Sequence, residues 1–355
     1  MQYTRITSGI TMTSAIPSVD EKHYQAARAR QDQLIKPTGA LGRLEDIACW
    51  FAARQGCEIP AELQPAIAVF AADHGVAAQN VSAYPAAVTR AMLSSLANGQ
   101  AAIAVLARAI HAIYVVVDVG VNSNDSQTNV HTERIAPGTK DLSIQSAMTL
   151  QQAERAIATG QRHATQVIAQ GANILIAGEV GIGNTTSAAC LISALTQLDP
   201  GMLVGSGTGL DAKGRAHKLE MVKRALQRVP LKSSSAMQLL SEFGGFEIAA
   251  MTGYYLQAAS EGIPVLLDGY ISAAAALLAA GIQPAVREWM LASHQSAELG
   301  HALALERLQL KPLLSLGMRL GEGSGAAVAF PLLQTALRLH REMATFAEAS
   351  VPNNV

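Results

Sequence analysis

The sequence predicts an α/β protein in which a doubly wound, mostly parallel sheet is buried between helices. Short apolar runs recur along the middle of the chain and are separated by alanine-rich helical segments, which is the pattern of successive βα units. Several of these runs also end in a carboxylate followed closely by glycine. Four runs are predicted strands, at 66–72, 113–119, 173–177 and 264–267, and a weaker fifth lies at 202–205.

The two ends of the chain predict a small helical domain. Residues 21–55 carry helical periodicity, interrupted at 36–43 by proline and glycines that force a turn between two helices. Residues 331–349 are also periodic, with one apolar face that is expected to pack against the first two helices. The predicted organisation is a tail plus helices at 1–60, an α/β catalytic domain at 61–329 and a C-terminal helix at 330–355, with the first twenty residues a disordered or docking tail.

Composition favours a compact enzyme that acts on small molecules. Charged residues make up 15% of the 355, below the roughly 25% typical of soluble chains. Lysine and arginine are scattered and the net charge is −1, so we expect neither nucleic acid nor a membrane surface as partner. Two charge-free stretches, 180–198 and 269–286, contain too many glycine and polar residues for membrane spans and are predicted to be buried turns and helices.

Cysteine usage indicates a reducing compartment. Cys49, Cys57 and Cys190 are odd in number and lack metal-ligand spacing, which fits buried thiols rather than disulfides. The N-terminus has no secretory signal, and no His/Cys/Asp cluster has zinc spacing. We therefore predict a cytoplasmic protein with no metal and no cofactor.

Four predicted strands end in a carboxylate close to a glycine, at Asp73, Asp118, Glu179 and Asp268. Ligands of open α/β sheets bind beyond the carboxyl ends of the strands, so these acids are expected to converge on one crevice. For any one of them, capping of the next turn or helix explains the residue about as well. The four together favour a site.

Glu322 is the strongest single candidate for chemistry. It lies between Gly321 and Gly323 in a run of small residues, where bare backbone can come close to a ligand. A solvated glutamate gains nothing from glycine on both sides. A base that must touch a flat substrate benefits, because bare backbone leaves room for the substrate. We predict that Glu322 is catalytic.

Two glycine-containing loops are candidate anion sites. Glu179 opens a segment of glycines and small polar residues that leads into an apolar helix, whose first amides are free to bind an anion. The spacing matches neither a Walker A loop nor the dinucleotide fingerprint, so ATP and NAD are poorly supported. Ordinary capping by Asn184 or Thr185 is the alternative. The second loop, 205–209, precedes a helix with Lys218, which could hold phosphate or be a solvated lysine.

Two further segments have both a structural and a functional interpretation. Residues 293–298 are predicted to begin a helix capped by serines, with His294, like His74, a structural residue rather than a member of a catalytic triad. Tyr84 and Met92 flank a proline-started helix as a pocket for a planar ring would require, although such residues commonly just pack.

In this order, the segments resemble the nicotinate-nucleotide:dimethylbenzimidazole phosphoribosyltransferase family over nearly the whole chain. The resemblance is carried by KPTGALGRLE at 36–45, ADHGV at 72–76, GEVGIGNTT at 178–186, GGFE at 244–247, LLDGY at 266–270 and RLGEGSG at 319–325. As a set these motifs are highly specific.

The resemblance implies a Rossmann-like large domain, a small helical domain and a homodimer. It implies transfer of a phosphoribosyl group from nicotinate mononucleotide to 5,6-dimethylbenzimidazole or a related base, giving α-ribazole 5′-phosphate and nicotinate in the assembly of the lower ligand of cobalamin. By matching motif, Glu322 would be the general base. The ribose phosphate would be surrounded by Glu179, Gly181, Gly207, Lys218 and Ser296, and the base by Tyr84, Met92 and Leu320.

The chain departs from enterobacterial members of this family at the base pocket. Those members resemble Ser-Pro-Lys with a glutamine downstream, where this chain has Tyr84 and Met92. The preferred base therefore stays open among dimethylbenzimidazole, simpler benzimidazoles, adenine and phenols. Two other functions also stay open: a Rossmann-like NAD or sugar-phosphate enzyme, and a non-catalytic protein that binds nucleotide or base.

Overall fold

The computed structural model describes residues 15–352 and contains a six-stranded sheet in which every strand pair is parallel. The strands are β1 Pro65–Ala72, β2 Ile113–Gly120, β3 His131–Thr132, β4 Ile174–Val180, β5 Val265–Leu267 and β6 Met290–Ala292. Their order, β3-β2-β1-β4-β5-β6, is that of a Rossmann sheet, and the direction of winding reverses between β1 and β4. The predicted doubly wound α/β fold is confirmed.

The described part of the chain contains twelve α-helices. They are α1 Glu21–Gln33, α2 Arg43–Gln55, α3 Ala87–Ala97, α4 Ala102–Ala109, α5 Leu150–Ala169, α6 Asn184–Thr196, α7 Ala212–Leu226, α8 Ala236–Phe243, α9 Phe246–Ser260, α10 Tyr270–Ile282, α11 His301–Leu308 and α12 Ser324–Glu342.

Both faces of the sheet are buried, as alternate residues of β1 show. Ala66, Ala68 and Phe70 pack in a core with residues of α5, α6, α8, α9 and α10. Ile67 and Val69 point the other way, into a core with residues of α2, α3, α4 and α12. Because successive side chains of a strand point to opposite faces, one apolar run contributes to both cores.

The four main strand predictions are confirmed, but the weaker fifth is wrong. Residues 200–202 form a short 3-10 helix, started by Pro200 and capped by the side chain of Asp199, and residues 203–205 are not part of a strand. The position beside β5 is instead occupied by β6. Neither β6 nor β3 was predicted. β3 has only two residues, and β6, with three residues like β5, lacks the carboxylate and glycine that follow β5 in the sequence.

The C-terminal helix begins seven residues before the predicted start and ends at Glu342 rather than at 349. Pro331 lies inside the helix, and the first turn is made of small residues that carry little apolar periodicity. The helix therefore runs without a break through residue 330. Its first half packs on the sheet and its last turn on α1, where Arg30 donates to the carbonyl oxygen of His340 at 3.0 Å. The division of the chain into domains at 60 and 330 stays a prediction.

The first charge-free stretch, 180–198, forms the end of β4, a turn and α6. The second, 269–286, forms α10 and the start of a 3-10 helix. Both are turns and helices, as predicted. Within residues 15–352, no helix combines the length and apolar character needed to cross a bilayer. Most of the predicted tail, residues 1–14, lies outside the described residues. At its end, the carbonyl oxygen of Pro17 accepts a hydrogen bond from the indole of Trp289.

Candidate active site

A cavity of about 320 Å³ opens at the carboxyl ends of β4, β5 and β6. Its position follows the rule for open α/β sheets, and its size suits a small-molecule ligand. Eight of the nine predicted site residues line it: Tyr84, Met92, Glu179, Gly181, Gly207, Ser296, Leu320 and Glu322. The ninth, Lys218, lies directly behind the wall.

Only two of the four strand-end carboxylates face this cavity, so the prediction that all four converge is wrong. Glu179 and Asp268 line it. Asp118 accepts hydrogen bonds from the backbone N–H groups of Gly120 and Val121, and its other oxygen pairs with Arg134 at 2.6 Å. Asp73 accepts from the N–H of Asn122. Both acids therefore hold the loop that follows β2, and neither lines the cavity.

Glu322 lies in a turn that only an unusual backbone can make. Gly321, Glu322 and Gly323 are all left-handed, with φ of +88°, +64° and +92°, a conformation that costs little for glycine and more for glutamate. The side chain is 4% exposed, and its Oε2 accepts a 3.4 Å hydrogen bond from the N–H of Ile103, in the first turn of α4. Burial, with a further contribution from nearby Asp268, raises the pKa of Glu322, which makes the carboxylate a stronger base.

Asp268 ties this turn to the sheet. Its two oxygens accept hydrogen bonds from the N–H groups of Gly323 and Ala326, each at 3.1 Å. His294 lies beside it, with Nε2 3.7 Å from Oδ1 of Asp268. The same imidazole fills the space where Gly325 would carry a Cβ, so glycine is required there.

Glu179 is buried at the end of β4. Its Oε2 accepts a hydrogen bond from the side-chain amide of Asn184, and its Oε1 would collide with a Cβ at Gly321. Burial is the main reason that the pKa of Glu179 is raised well above its usual value, and the neighbouring carboxylates of Glu247, Asp268 and Glu322 add to the effect. The neutral form of this carboxyl is therefore favoured.

The helix that follows β4 has no side-chain cap, so ordinary capping by Asn184 or Thr185 is ruled out. The cap residue of α6 is Gly183. The amide of Asn184 bonds to Glu179, and the hydroxyl of Thr185 accepts from Lys218. The N–H groups of Asn184 and Thr186 donate to the carbonyl oxygens of Gly181 and Gly183. The start of α6 therefore offers the cavity the positive end of a helix dipole next to the Lys218 side chain, which is a favourable arrangement for an anion.

Lys218 projects from α7 and is 1% exposed. Its Nζ donates to Oγ1 of Thr185 at 2.6 Å and would lie 3.1 Å from a Cβ at Gly207. Burial lowers the pKa of Lys218 to about 8, although the charge of Glu298 acts in the opposite direction. Because Thr185 and Gly207 line the cavity, only these two residues separate the Lys218 ammonium group from a ligand there.

Residues 293–298 do not begin a helix, which corrects the prediction. The segment continues β6 as extended chain, with the N–H of Ser293 on the carbonyl oxygen of Leu267 and a bridge between His294 and Leu314. The next helix starts only at His301. The ring of His301 accepts from the backbone N–H of Ser296 at 2.8 Å, so this histidine positions the predicted phosphate-binding serine.

The predicted base-pocket residues lie at the mouth of the cavity. Tyr84 and Leu320 are 55% and 57% exposed, and Met92 is half-buried on α3. The loop that carries Tyr84 is tied to the 205–209 loop by Thr208, which accepts from the N–H of Ala83 at 3.0 Å. These side chains form the solvent-facing rim of the cavity.

Sequence reasoning missed a buried hydrogen-bonded pair of side chains, His74 and Glu247, beneath the Gly181–Asn184 turn. Nε2 of His74 lies 2.6 Å from Oε1 of Glu247, and both side chains are fully buried. His74 packs directly under Gly181 and Gly183, so it supports the turn rather than touching the cavity. The partners are 173 residues apart in the chain, and no spacing pattern in the sequence could have paired them.

Comparison with known proteins gives a consistent result. A family model described as phosphoribosyltransferase matches residues 16–351. A nicotinate-nucleotide–dimethylbenzimidazole phosphoribosyltransferase from Chromobacterium violaceum is 53% identical over 96% of this chain and 98% of the relative. A protein of the same name from Bradyrhizobium diazoefficiens is 47% identical over 95% and 96%. The crystal structure of CobT from Thermus thermophilus superimposes with a TM-score of 0.91 at 44% identity, covering 94% of this chain and all of that one.

Proposed function

The chain belongs to the nicotinate-nucleotide–dimethylbenzimidazole phosphoribosyltransferase family, and we propose that its cavity transfers a phosphoribosyl group from nicotinate mononucleotide to 5,6-dimethylbenzimidazole or a related base. The products are α-ribazole 5′-phosphate and nicotinate, the first of which enters the lower ligand of cobalamin. One observation carries the site assignment: a buried carboxylate of raised pKa, and a buried lysine beside the start of a helix, meet at the same cavity.

Glu322 acts as the general base. When one ring nitrogen of a benzimidazole bonds to C1′ of the ribose, the ring becomes cationic unless the N–H on the other nitrogen is lost. A carboxylate that accepts this proton removes the charge as it develops. Oε2 of Glu322 is held by the N–H of Ile103, which leaves Oε1 to receive the proton.

The leaving group needs no acid. The ring nitrogen of nicotinate is already cationic in the nucleotide, so the electron pair of the breaking C1′–N bond returns to it and nicotinate departs with a neutral pyridine ring. The new bond forms on the opposite face of the ribose, which turns a β-nucleotide into an α product. One carboxylate is therefore sufficient for the proton transfer in this reaction.

The 5′-phosphate binds at the start of α6. The positive end of the α6 dipole and the cation of Lys218, which lies behind Thr185 and Gly207, supply positive charge for it. Ser296 adds a hydroxyl, and the neutral carboxyl of Glu179 can donate to a ribose hydroxyl. The aromatic base enters past Tyr84 and Leu320 and lies against Met92, with its N–H toward Glu322.

We also propose that the enzyme is a cytoplasmic homodimer. The resemblance to the family supports the dimer, and three unpaired cysteines support a reducing compartment. Light scattering of the purified protein measures the oligomer directly, and a monomer at working concentration would contradict the proposal.

The decisive assay incubates the purified chain with nicotinate mononucleotide and dimethylbenzimidazole and follows nicotinate and α-ribazole 5′-phosphate by chromatography. Glu322→Gln should keep the melting temperature and substrate binding but lose about 10²- to 10⁴-fold in kcat. A wild-type rate in this variant would rule out Glu322 as the base. Tight binding of both substrates without turnover would favour the non-catalytic alternative. An NAD-dependent change in absorbance would favour the alternative of a Rossmann-like NAD enzyme.

A further inference from the structure

We propose that Asp268 is the positioning residue for this reaction: its carboxylate fixes the 321–325 turn from the neighbouring strand and thereby sets where the Glu322 side chain points. The inference rests on the proposed role of Glu322 as the base. Asp268 itself needs no contact with substrate for this role.

The contact between Asp268 and the turn is a helix cap supplied from a distant part of the chain. Asp268 follows β5, is 4% exposed, and accepts from the N–H groups of Gly323 and Ala326. These are first-turn donors of α12, which have no partner inside the helix. Gly323, the cap residue, has no side chain to satisfy them, so a carboxylate 55 residues earlier does so. Its negative charge also suits a helix N-terminus.

This cap matters for Glu322 because the turn would not keep its shape alone. A glutamate with φ of +64° between two left-handed glycines is in a conformation that L-residues with side chains disfavour, and surrounding contacts must hold it there. Gly178 restrains the carbonyl oxygen of Glu322 on one side. Asp268 restrains the N–H of Gly323 on the other side. The two contacts together fix the peptide group between Glu322 and Gly323, and with it the start of the Glu322 side chain.

Asp268 also changes how strongly Glu322 holds a proton. The negative charge of Asp268 adds to burial in raising the pKa of Glu322. The other titratable or charged groups that face this pair are Tyr114 on β2, Glu179 on β4, Tyr255 on α9, His294 after β6, His301 on α11 and Arg319 in the loop before the turn. Replacing Asp268 with a neutral residue removes one negative charge, so the pKa of Glu322 falls and the acid limb of the rate profile moves to lower pH.

The chain offers a matched control in Asp118. It too is a buried strand-end carboxylate that accepts from two backbone N–H groups, at 3.1 and 2.8 Å. It lies outside the cavity and does not touch the Glu322 turn. Asp118→Asn therefore removes a buried carboxylate that binds backbone, together with its pair to Arg134, without altering the surroundings of the base.

The experiment measures kcat, KM for nicotinate mononucleotide, and the pH dependence of kcat for the wild type, Asp268→Asn, Asp268→Glu and Asp118→Asn. We expect Asp268→Asn to lower kcat by about 10- to 100-fold with little change in KM, and to shift the acid limb to lower pH. Asp118→Asn should lose thermal stability but keep the acid limb and most of kcat. Asp268→Glu keeps the charge but moves it by one methylene, so kcat should fall while the acid limb stays.

Asp268→Glu also covers the case in which Asp268→Asn fails to fold. The inference is overturned if Asp268→Asn matches Asp118→Asn in kcat and pH profile, or if folded Asp268→Glu has the wild-type kcat. A wild-type chain without turnover, or an active Glu322→Gln, would instead contradict the proposed function and not this relationship. The two failures are therefore distinguishable in the same set of assays.

Discussion

The main-chain carbonyl oxygen of Glu322 lies against Gly178 of β4 so closely that a Cβ atom at residue 178 would overlap it. The φ angle of Gly178 is not in the left-handed region, so the need for glycine comes from this contact alone. A residue in the middle of a buried strand thus limits where the proposed base can lie.

We expect Gly178→Ala to displace the 321–323 turn and to lower kcat by about 100-fold, because a shift of roughly 1 Å in a reacting group has an effect of that size. Steady-state kinetics and a thermal melt test this expectation. Gly281→Ala on α10 is the control, since its Cβ would meet a methyl group at 3.1 Å and not backbone. A folded Gly178→Ala enzyme with the wild-type kcat would show that the contact does not control the base.

Lys218 should make phosphate binding depend on pH. Burial lowers its pKa to about 8, and the cation that we propose to hold phosphate predominates only below this value. The kcat/KM for nicotinate mononucleotide should therefore fall as pH rises through about 8. Lys218→Gln should lower kcat/KM by about 10- to 100-fold and remove this basic limb. The exposed Lys223 on the same helix is the control; a basic limb that persists in Lys218→Gln would belong to another group.

Met92 should contribute to the choice of base. Its half-buried side chain lines the cavity near the mouth, where it can contact the methyl groups of dimethylbenzimidazole. In a competition between dimethylbenzimidazole and benzimidazole, Met92→Ala should lower the ratio of the two products by about 10-fold, as measured by mass spectrometry. Val105→Ala, on the exposed face of α4, should leave the ratio unchanged. The same product ratio in both variants would show that Met92 does not contribute to the choice of base.

Glu179 should be replaceable by its neutral analogue without loss of stability. Its pKa is raised by burial, so the folded chain binds a proton that the unfolded chain releases as pH rises above about 4.3. Folding stability therefore declines with rising pH in the wild type, and Glu179→Gln should lack this decline. Melting temperatures from about pH 5 to about pH 8 measure the difference. Glu247→Gln, which removes the buried carboxylate beside His74, is the control and should have a lower melting temperature at every pH. An equally lowered melting temperature in Glu179→Gln would show that Glu179 is ionised in the folded chain.

Strands β1, β2, β4 and β5 and the helices between them were predictable, because buried parallel strands lie in continuous apolar runs that are visible in the sequence. The short strands β3 and β6 were not predictable, since residues 290–292 form a strand only because β5 offers an edge to pair with. The start of α12 was missed for a similar reason. Its cap is Asp268, which the sequence places in another segment altogether.

The sequence by itself determined the family, the sheet class and the residues that reach the cavity, because each of these is encoded in a local run of residue types. Only the tertiary structure decided which strand-end acids face the ligand, that His74 pairs with Glu247, and that Asp268 and Gly178 hold Glu322 between them. These relationships join side chains and backbone groups that are far apart in the chain. Distance and burial create them, and neither property exists before the chain folds.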